Sequence, residues 1–423
     1  MKKSIWPSVV DGVVAAPPSK SVAQRAIAMA ALAAGESVIH DAGSSDDVLA
    51  ATDVITALGA KVCQKDNALH IVGGHLNPQQ VLHCGESGLC LRMFSGIAAA
   101  LGDEITLTGQ GSLLKRPLDD VVDALSALGV KCISNNGFAP LTIRGPMRAG
   151  HHTTDASHSS QLLTGLLMAA PLLNTDTRLV VEKLVSKPYV DLTINVMQAF
   201  GVQVKNDGFK EFAIKAGQRY APATFRVEGD WSGAAFMLVA GAVAGTVTVQ
   251  NLNNNSRQAD KKILDALEAA GAGFTHAGNS CRVSKHQLKA FSFDATDCPD
   301  LFPPLVALAA NCPGESRIAG VGRLRGKESN RAESLTDTFS KLGIQIRTEE
   351  DTMIVSGRKI SGGNVSVHGD HRIAMTAAIA ALTADGPVHI TGADAVNKSY
   401  PGFFNDLEKL HANAGPKLKT PNS

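Results

Sequence analysis

Serine, lysine and arginine recur at the starts of helices predicted from the sequence, a combination suited to binding anions. One such start spans Ser19–Ser21, and Arg25 follows one helical turn later. A second start includes Gly88, and Arg92 lies at the same spacing from it. A helix N-terminus presents unpaired backbone N–H groups and the positive end of the helix dipole. Cations placed there are repelled by the dipole unless an anion is bound, so we expect anion sites.

Similar runs open further helices: Lys115-Arg116-Pro117, Ser186-Lys187-Pro188-Tyr189, Lys327-Glu328-Ser329-Asn330-Arg331 and Lys398-Ser399-Tyr400-Pro401. An isolated lysine or arginine at a helix start is usually a solvated surface charge, and a serine there usually only caps the helix. The recurrence of the combination favours an anion site over that interpretation. In the third run, helical spacing predicts that Lys327 and Arg331 share one face.

Two kinds of helix alternate along the chain and would position these runs. Helices of the first kind are apolar on nearly every face, which predicts burial on all sides. They start at Ser19, Ser87, Ser159, Trp231, Asp300 and Asp370. Helices of the second kind are amphipathic and end before a glycine, which readily closes a helix in the left-handed conformation. These glycines are Gly59, Gly129, Gly201, Gly271 and Gly343, and successive copies of either kind lie about 70 residues apart.

This periodicity predicts an α/β fold of six βαβαββ-type units, three in each of two domains. Breaks in the pattern place domain I at residues 1–16 plus 229–412, domain II at residues 17–228 and a flexible tail at residues 413–423. If the helix starts of each domain lie at one end, their cations would face a shared cleft. Domain closure would then surround a multiply charged anion and exclude water.

The amino-acid composition argues against several classes of function. A net charge of +1 and 4% aromatic residues disfavour nucleic-acid binding. No apolar run is long enough to span a membrane, and the N-terminus lacks the apolar core of a secretion signal. Seven cysteines without a C-x-x-C pair indicate reduced thiols in the cytoplasm. His151, His152, Asp155 and His158 lack the spacing of a metal-ligand set, so we expect no metal there. We also expect a monomer.

Eight segments carry a resemblance to a known family. In chain order they are PPSKSVAQRA, ESGLCLRMF, KRPLDDVVDAL, SHSSQLLTGLLMAAP, LVSKPYVDLT, RLRGKESNRAE, GDHRIAM and NKSYPGFF. With these motifs the sequence resembles the 5-enolpyruvylshikimate-3-phosphate (EPSP) synthase family over nearly its whole length. The resemblance implies a two-domain inside-out α/β barrel fold. It also implies transfer of the enolpyruvyl group of phosphoenolpyruvate to the 5-hydroxyl of shikimate-3-phosphate, a step of chorismate and aromatic amino acid biosynthesis that needs no cofactor.

The matching motif positions imply two sets of substrate-binding residues. Shikimate-3-phosphate would be held by Ser21, Arg25, Ser159, Ser160, Gln161, Ser186, Tyr189, Asp300 and Lys327. Phosphoenolpyruvate would be held by Lys20, Gly88, Arg116, Arg331, Arg372 and Lys398, and Gln161 would touch both substrates. The sequence departs from the family pattern at four positions: Glu86, Leu89, Arg323 and Asn330. An added carboxylate would repel an anionic substrate, so we expect Glu86 to point away or to pair with a cation.

The reaction needs acid–base groups, because C3 of the enolpyruvyl group gains a proton and later loses one. Our hypothesis is that the Glu328 carboxyl donates and then accepts this proton. Asp300 is our hypothesis for the base at the 5-hydroxyl, and an ordinary N-cap at the buried helix is an equally good interpretation of that residue. Lys20 could share proton transfer with Glu328.

Two other functions remain open. The related UDP-N-acetylglucosamine 1-carboxyvinyltransferase family carries a reactive cysteine before its Arg-Pro motif. Here Gly111 stands near that position, no cysteine lies between Cys90 and Cys132, and Ser21 replaces the asparagine usual after the lysine. The second alternative is a non-catalytic binder of phosphorylated metabolites. Retained acid–base groups at Glu328, Asp300 and Lys20 argue against it, because a binder needs no proton transfer.

Overall fold

The computed structural model describes residues 1–157 and 159–411. The tail predicted at residues 413–423 and His158 of the histidine group lie outside the described residues. The described chain forms two compact units. Unit 1 combines Met1–Pro17 with the chain from Glu228 onward, and unit 2 is Pro18–Val227. The chain therefore leaves unit 1 at a proline pair and returns to it just before the run Gly229-Asp230.

In each unit, helices alternate with groups of one to three strands. Unit 1 begins with β1 (Lys2–Ile5) and β2 (Val10–Ala15). Unit 2 follows with α1 (Lys20–Leu32), β3 (Gly35–His40), α2 (Asp46–Ala57), β4 (Lys61–Lys65), β5 (Ala68–Gly73), β6 (Val81–His83), α3 (Gly88–Ala100), β7 (Glu104–Thr108), α4 (Asp119–Ala127), β8 (Lys131–Asn135), β9 (Phe138–Arg144), β10 (His151–Ala156), α5 (Gln161–Ala169), β11 (Thr177–Leu184), α6 (Lys187–Ala199), β12 (Lys205–Asp207), β13 (Glu211–Ile214) and β14 (Thr224–Arg226).

The rest of unit 1 continues the alternation. Its elements are α7 (Trp231–Ala244), β15 (Gly245–Gln250), α8 (Ile263–Ala269), β16 (Gly273–Ala277), β17 (Ser280–Ser284), β18 (Ser292–Asp294), α9 (Phe302–Ala310), β19 (Gly314–Ala319), α10 (Arg331–Lys341), β20 (Gln345–Glu349), β21 (Thr352–Gly357), β22 (Gly363–Ser366), α11 (His371–Ala381), β23 (Val388–Thr391) and α12 (Phe403–Lys409). Short 3-10 turns at Gly111–Lys115, Pro299–Leu301, Val321–Leu324 and Ala393–Lys398 stand before some of the helices.

The sheets are small and mixed. In unit 2 their strand orders are β14-β3-β5-β4, β6-β7-β9-β8 and β10-β11-β13-β12. In each of them the first two strands are parallel and the other pairings are antiparallel. Unit 1 repeats this arrangement in β2-β15-β17-β16 and β18-β19-β21-β20, and adds the three-stranded sheet β1-β23-β22. The α/β class predicted from the sequence is confirmed.

The apolar helices are buried, as their composition predicts. Every residue of α7 is buried, and so is every residue of α11. In unit 1, α7, α9 and α11 pack against one another. In unit 2, α3 and α5 pack together so closely that a Cβ on Gly96 would lie 2.4 Å from the carbonyl carbon of Gly165. Such helices fill the interior of each unit, and about half of the predicted site residues lie at their N-termini.

Two of the predicted helix starts lie two residues too early. The helix expected to begin at Ser159 begins at Gln161, with Ser160 as its N-cap. The buried helix expected to begin at Asp300 begins at Phe302, after the 3-10 turn Pro299–Leu301, so Asp300 is not its N-cap. The cause is the pair Pro303-Pro304, because proline lacks an N–H and fits a helix only in its first turn. The glycines predicted to close the amphipathic helices all have positive φ, between 79° and 105°. That prediction is confirmed.

Candidate active-site residues of the two units

Arg25 of unit 2 is a buried cation that no carboxylate of the described residues contacts. Only 2% of it is exposed, and burial lowers the pKa of its guanidinium to about 10. Its Nη1 donates to the Ser21 carbonyl at 2.7 Å, and its Nε donates to the Thr193 hydroxyl at 2.9 Å. Among the described residues, all of its acceptors are neutral oxygens. A buried charge without an opposite charge is costly, so this site is suited to an anionic ligand.

Arg116 repeats this situation at the start of α3. It follows the 3-10 turn Gly111–Lys115 and is 8% exposed. Its guanidinium lies against Gly88, where a Cβ would come within 2.1 Å of Nη1. In the part of the chain that the structure describes, its Nε has no hydrogen-bond partner and no carboxylate pairs with it. The missing side chain at Gly88 therefore leaves Arg116 room beside the open N–H groups of a helix start.

Arg92 adds a second cation beside Arg116. Its Nη2 donates to the Pro117 carbonyl at 2.7 Å, and its Nε lies 3.8 Å from Asp120. Burial and the neighbouring Arg116 lower the pKa of Arg92 to about 10. Nε and Nη1 of this buried side chain have no hydrogen-bond partner in the described residues. Two adjacent guanidinium groups with unused donors form a strong local attraction for an anion.

Lys20 and Glu86 are both engaged by other side chains. Lys20 is the first residue of α1, and its ammonium pairs with the buried Asp47 carboxylate at 2.7 Å. Glu86 accepts hydrogen bonds from the Ser112 backbone N–H at 3.0 Å and from the Ser112 hydroxyl at 2.8 Å. Glu86 thus binds the loop at Gly111, where a Cβ would lie only 2.2 Å from its Oε1.

The starts of α5 and α6 supply five of the uncharged predicted residues. The Ser159 hydroxyl accepts from the Gln161 N–H at 3.2 Å, and Ser160 is 4% exposed. Oε1 of Gln161 is buried without a hydrogen-bond partner among the described residues. Ser186 precedes α6 in the left-handed conformation with φ of 56°, and Tyr189 lies in the first turn of that helix. A left-handed serine is strained, and such backbone is common at ligand sites.

Arg331 of unit 1 is the centre of a buried ionic cluster. It is 1% exposed and contacts the carboxylates of Asp300 at 2.6 Å, Asp370 at 2.7 Å and Glu328. Burial lowers its pKa, but Asp370, Glu328 and Asp300 outweigh burial and raise it well above the ordinary value. Arg331, predicted to bind phosphoenolpyruvate, therefore contacts both the predicted acid, Glu328, and the predicted base, Asp300.

Asp300 is held by three cations. Arg331 lies 2.6 Å, Arg372 3.1 Å and Lys327 3.5 Å from its oxygens. Burial opposes ionisation, yet Arg372, Lys327 and Arg331 outweigh burial and hold the pKa of Asp300 well below its ordinary value. The cap role considered for Asp300 is thus replaced by an ionic one. Lys398, 6% exposed at the end of the turn Ala393–Lys398, is the remaining predicted cation of this unit.

Comparisons with known proteins identify the family. The family model described as EPSP synthase (3-phosphoshikimate 1-carboxyvinyltransferase) matches residues 6–407. The chain belongs to the EPSP synthase family. A relative named 3-phosphoshikimate 1-carboxyvinyltransferase from Methanocorpusculum labreanum is 41% identical, and the alignment covers 97% of this chain and 99% of the relative. A relative of the same name from Clostridium kluyveri is 38% identical, with 96% of each chain covered.

Solved structures agree. An EPSP synthase structure from Acinetobacter baumannii matches with a TM-score of 0.82 at 26% identity, covering 97% of this chain and 98% of that one. The resemblance seen in the sequence motifs is therefore confirmed, and so is the fold that it implies. Among the described helices, none is both long and apolar enough to cross a membrane.

One local expectation for the EPSP synthase motifs is corrected by the structure. Lys327 and Arg331 do not share a helix face, because α10 begins at Arg331 with Asn330 as its N-cap. They approach each other through Asp300 instead. Arg323, at a position where the sequence departs from the family pattern, belongs to the turn Val321–Leu324.

Sequence reasoning missed two carboxylates of the site. Asp47 pairs with Lys20, although the two lie 27 residues apart and Asp47 reads as an ordinary acidic residue in the first turn of a helix. Asp370 was seen only as a helix start. It does cap α11 by accepting from the Arg372 N–H at 2.9 Å, but it also pairs with Arg331.

One group of side chains in unit 1 has metal-ligand geometry. Ligand atoms of Glu328, Asp370 and His371 lie within 4.8 Å of one another. The Arg331 guanidinium contacts both carboxylates of this group. A divalent cation would have to displace this buried guanidinium or lie against it, so the donor set favours the arginine over a metal.

Proposed function

We propose that this chain is a 3-phosphoshikimate 1-carboxyvinyltransferase. It transfers the enolpyruvyl group of phosphoenolpyruvate to the 5-hydroxyl of shikimate-3-phosphate and releases phosphate, within the biosynthesis of chorismate and the aromatic amino acids. The observation that carries this proposal is the pair of buried guanidinium groups, Arg25 and Arg116, without carboxylate partners among the described residues of a member of this family. Their charge calls for anionic ligands, and both substrates carry a carboxylate and a phosphate.

We divide the proposed binding residues between the two substrates. Arginine binds carboxylate or phosphate through paired hydrogen bonds, and lysine acts as a point charge. We assign phosphoenolpyruvate to Lys20, Gly88, Arg116, Arg331, Arg372 and Lys398. We assign shikimate-3-phosphate to Ser21, Arg25, Ser159, Ser160, Ser186, Tyr189, Asp300 and Lys327, with Gln161 contacting both.

The proposed reaction is an addition followed by an elimination. The Glu328 carboxyl gives a proton to C3, the 5-hydroxyl oxygen bonds to C2, and Asp300 takes the hydroxyl proton. The tetrahedral intermediate then returns a C3 proton to Glu328 as the bond between C2 and the phosphate oxygen breaks. Asp300 passes the hydroxyl proton to the departing phosphate, which regenerates its carboxylate, and Lys20 shares proton transfer with Glu328. No metal or organic cofactor enters these steps.

The ionic cluster of unit 1 suggests how substrate binding prepares Asp300. The low pKa of Asp300 comes from Arg372, Lys327 and Arg331, which outweigh the effect of burial. A group with so low a pKa is a weak base. Arg331 and Arg372 are assigned to phosphoenolpyruvate, so a bound substrate anion would compete for them. Weaker pairing with these cations would raise the pKa of Asp300 and make it a better proton acceptor.

A phosphate-release assay tests the function. The purified chain should release phosphate when phosphoenolpyruvate and shikimate-3-phosphate are both present, and not with either alone. Release only when UDP-N-acetylglucosamine replaces shikimate-3-phosphate would identify the related transferase activity instead. Binding of both anions by calorimetry without any release would identify a non-catalytic binder. The first result supports the proposal, and either of the others overturns it.

We further propose that the enzyme acts as a cytoplasmic monomer. All seven cysteines are free, which suits a reducing compartment. Light scattering of the purified chain measures the oligomeric state directly.

A further inference from the structure

We propose that Thr193 and Thr164 are positioning residues for Arg25, forming a hydroxyl relay that fixes the direction of its guanidinium and so sets the affinity for shikimate-3-phosphate. This inference rests on the proposed function, which assigns Arg25 to that substrate. The resemblance of the sequence to its family implied substrate roles for Arg25 and Tyr189 but gave none to either threonine.

The relay joins three helices of unit 2. Arg25 lies on α1, Thr164 on α5 and Thr193 on α6, and both threonines are fully buried. The Arg25 Nε donates to the Thr193 hydroxyl at 2.9 Å, and Nη2 donates more weakly to the Thr164 hydroxyl at 3.4 Å. The two hydroxyls lie 3.1 Å apart. Each of these helices also carries a residue assigned to shikimate-3-phosphate.

The direction of every proton in the relay follows from one contact. Thr193 donates its only hydroxyl proton to the Tyr189 carbonyl at 2.8 Å, because a carbonyl can only accept. Thr164 must therefore be the donor between the two hydroxyls. Thr193 then accepts from both Thr164 and the Arg25 Nε, which uses its one proton and both of its lone pairs. A hydroxyl with no spare capacity fixes its partners in one arrangement.

This arrangement leaves Arg25 ready for a ligand. No described carboxylate holds the guanidinium, so its direction depends on neutral acceptors: the two threonines, the Ser21 carbonyl and the Tyr189 carbonyl. These four bonds leave one N–H of Nη1 for an anion. Without the Thr193 hydroxyl, the buried Nε–H would lack its acceptor, and the guanidinium would turn to find another.

The direct test replaces the hydroxyl by a methyl group. Thr193→Val keeps the β-branched shape but removes the acceptor of a charged donor, an interaction worth about 1.5–3 kcal/mol. The dissociation constant and KM for shikimate-3-phosphate should therefore rise about 10- to 100-fold. The KM for phosphoenolpyruvate and the kcat at saturation should change less than about threefold. Thr193→Ser restores the hydroxyl and should restore the affinity to within about threefold.

A matched substitution controls for the loss of any buried hydroxyl. Thr338 of α10 is also fully buried, but its hydroxyl has no hydrogen-bond partner in the described residues. Thr338→Val should leave the affinity for shikimate-3-phosphate unchanged. The same change at Thr164 should weaken binding less than Thr193→Val, because the bond from Nη2 is longer.

A double substitution separates positioning from a general structural effect. In an Arg25→Lys background there is no Nε–H to position, so adding Thr193→Val should change the affinity for shikimate-3-phosphate less than about twofold. If Thr193→Val costs the same factor in both backgrounds, it does not act through Arg25 and the proposal is wrong. The thermal unfolding midpoint of each variant shows whether it is folded. If Thr193→Val does not fold, the effect of Thr164→Val on the affinity for shikimate-3-phosphate is compared in the same two backgrounds.

One measurement is independent of turnover. With arginine labelled by nitrogen-15, the Nε–H of Arg25 should exchange slowly with solvent in the unaltered protein and in Thr193→Ser. Exchange should be much faster in Thr193→Val. Equal exchange rates in all three would overturn the relay, whatever the activity. A chain that neither turns over nor binds shikimate-3-phosphate would refute the substrate role of Arg25. If the enzyme is active and its affinity for shikimate-3-phosphate is the same with and without the Thr193 hydroxyl, only the relay is refuted.

Discussion

Gly88 is the position at which one added methyl group would most directly disturb the proposed phosphoenolpyruvate site. A Cβ there would lie 2.1 Å from Nη1 and 2.5 Å from Cζ of Arg116, so Gly88→Ala must displace the guanidinium. The backbone of Gly88 begins α3, and alanine suits a helix better than glycine. We therefore expect unchanged or higher stability, with the KM for phosphoenolpyruvate raised about 10-fold or more and that for shikimate-3-phosphate much less affected.

The control for Gly88→Ala is Gly102→Ala. A Cβ on Gly102 would meet no atom of the described residues within 4 Å, so both KM values should stay unchanged. Steady-state kinetics with each substrate varied in turn measure the difference. An equal rise of both KM values in Gly88→Ala would show that Gly88 serves only the folding of this helix start.

Glu328 can be tested without removing its hydrogen-bonding capacity. Glu328→Gln retains an oxygen that accepts from Arg331 but loses the proton that the addition step requires. We expect kcat to fall by roughly two to four orders of magnitude, with little change in the dissociation constants of the substrates. The exposed Glu333 on the neighbouring α10 gives a matched control, Glu333→Gln, with normal kcat. Near-normal turnover of Glu328→Gln would remove Glu328 from the mechanism.

At the residue scale, the sequence predicted the charged members of the site better than their partners. Motifs and recurrence indicated Arg25, Arg116 and Arg331, and the structure buries all three. Their partners could not be read from the sequence, because Arg25 and Thr193 lie 168 residues apart and a threonine in a helix has no distinctive signal. Only the fold brings such residues together.

At the scale of elements, the contact between α3 and α5 depends on two glycines. A Cβ on Gly96 would lie 2.4 Å from the Gly165 carbonyl carbon, and one on Gly165 would lie 2.3 Å from the Met93 carbonyl oxygen. These are backbone atoms and cannot turn aside as a side chain can. Gly96→Ala should therefore force the helices apart and destabilise unit 2 by about 1–3 kcal/mol, despite the better helix propensity of alanine.

Denaturant unfolding and hydrogen exchange of α3 measure this effect. Because Gly96 and Gly165 face the same gap, the double alanine variant should cost less than the sum of the single variants. Gains in stability from both single substitutions would mean that the helices pack less tightly than the distances indicate.

The elements themselves were largely predictable from the sequence. Apolar helices and closing glycines have strong local signals, and the structure confirms the buried helices and the positive φ of the glycines. The first residues of the helices were harder to predict from the sequence. Asp300 lies in a 3-10 turn because prolines 303 and 304 delay α9, and Lys327 precedes α10 instead of lying on it. Helical spacing alone does not reveal where a turn gives way to a helix.

At the scale of the whole molecule, the buried arginines of the two units differ in their partners. The 40 lysines and arginines nearly balance the 39 aspartates and glutamates, so net charge alone predicts no anion site. In unit 2, Arg25 and Arg116 lack described carboxylate partners, whereas Arg331 of unit 1 contacts three carboxylates. Arg25 and Arg116 are thus open to an external anion, whereas Arg331 must exchange an internal partner for one.

Asp260 links this buried charge to the stability of the whole protein. It is fully buried, accepts a hydrogen bond from the Ser232 hydroxyl, and has no partner for Oδ1 among the described residues. Burial, aided by the nearby Asp300 and opposed by Arg372, raises the pKa of Asp260 to about 7. The unfolded chain releases this proton near pH 4. Between about pH 4 and 7 the folded protein therefore holds a proton that the unfolded protein lacks.

A raised carboxyl pKa stabilises the folded state fully below the unfolded pKa, and this contribution is lost as the pH rises through about 7. Asp260→Asn cannot ionise, so the free energy of unfolding of the variant, relative to the unaltered protein, should rise between pH 5 and pH 8 by about 2–4 kcal/mol. Asp265→Asn, at an exposed carboxylate of α8, should show no such trend. Denaturant titrations at each pH measure both differences. A constant difference for Asp260→Asn would mean that Asp260 is ionised throughout this range and that Arg372 outweighs its burial.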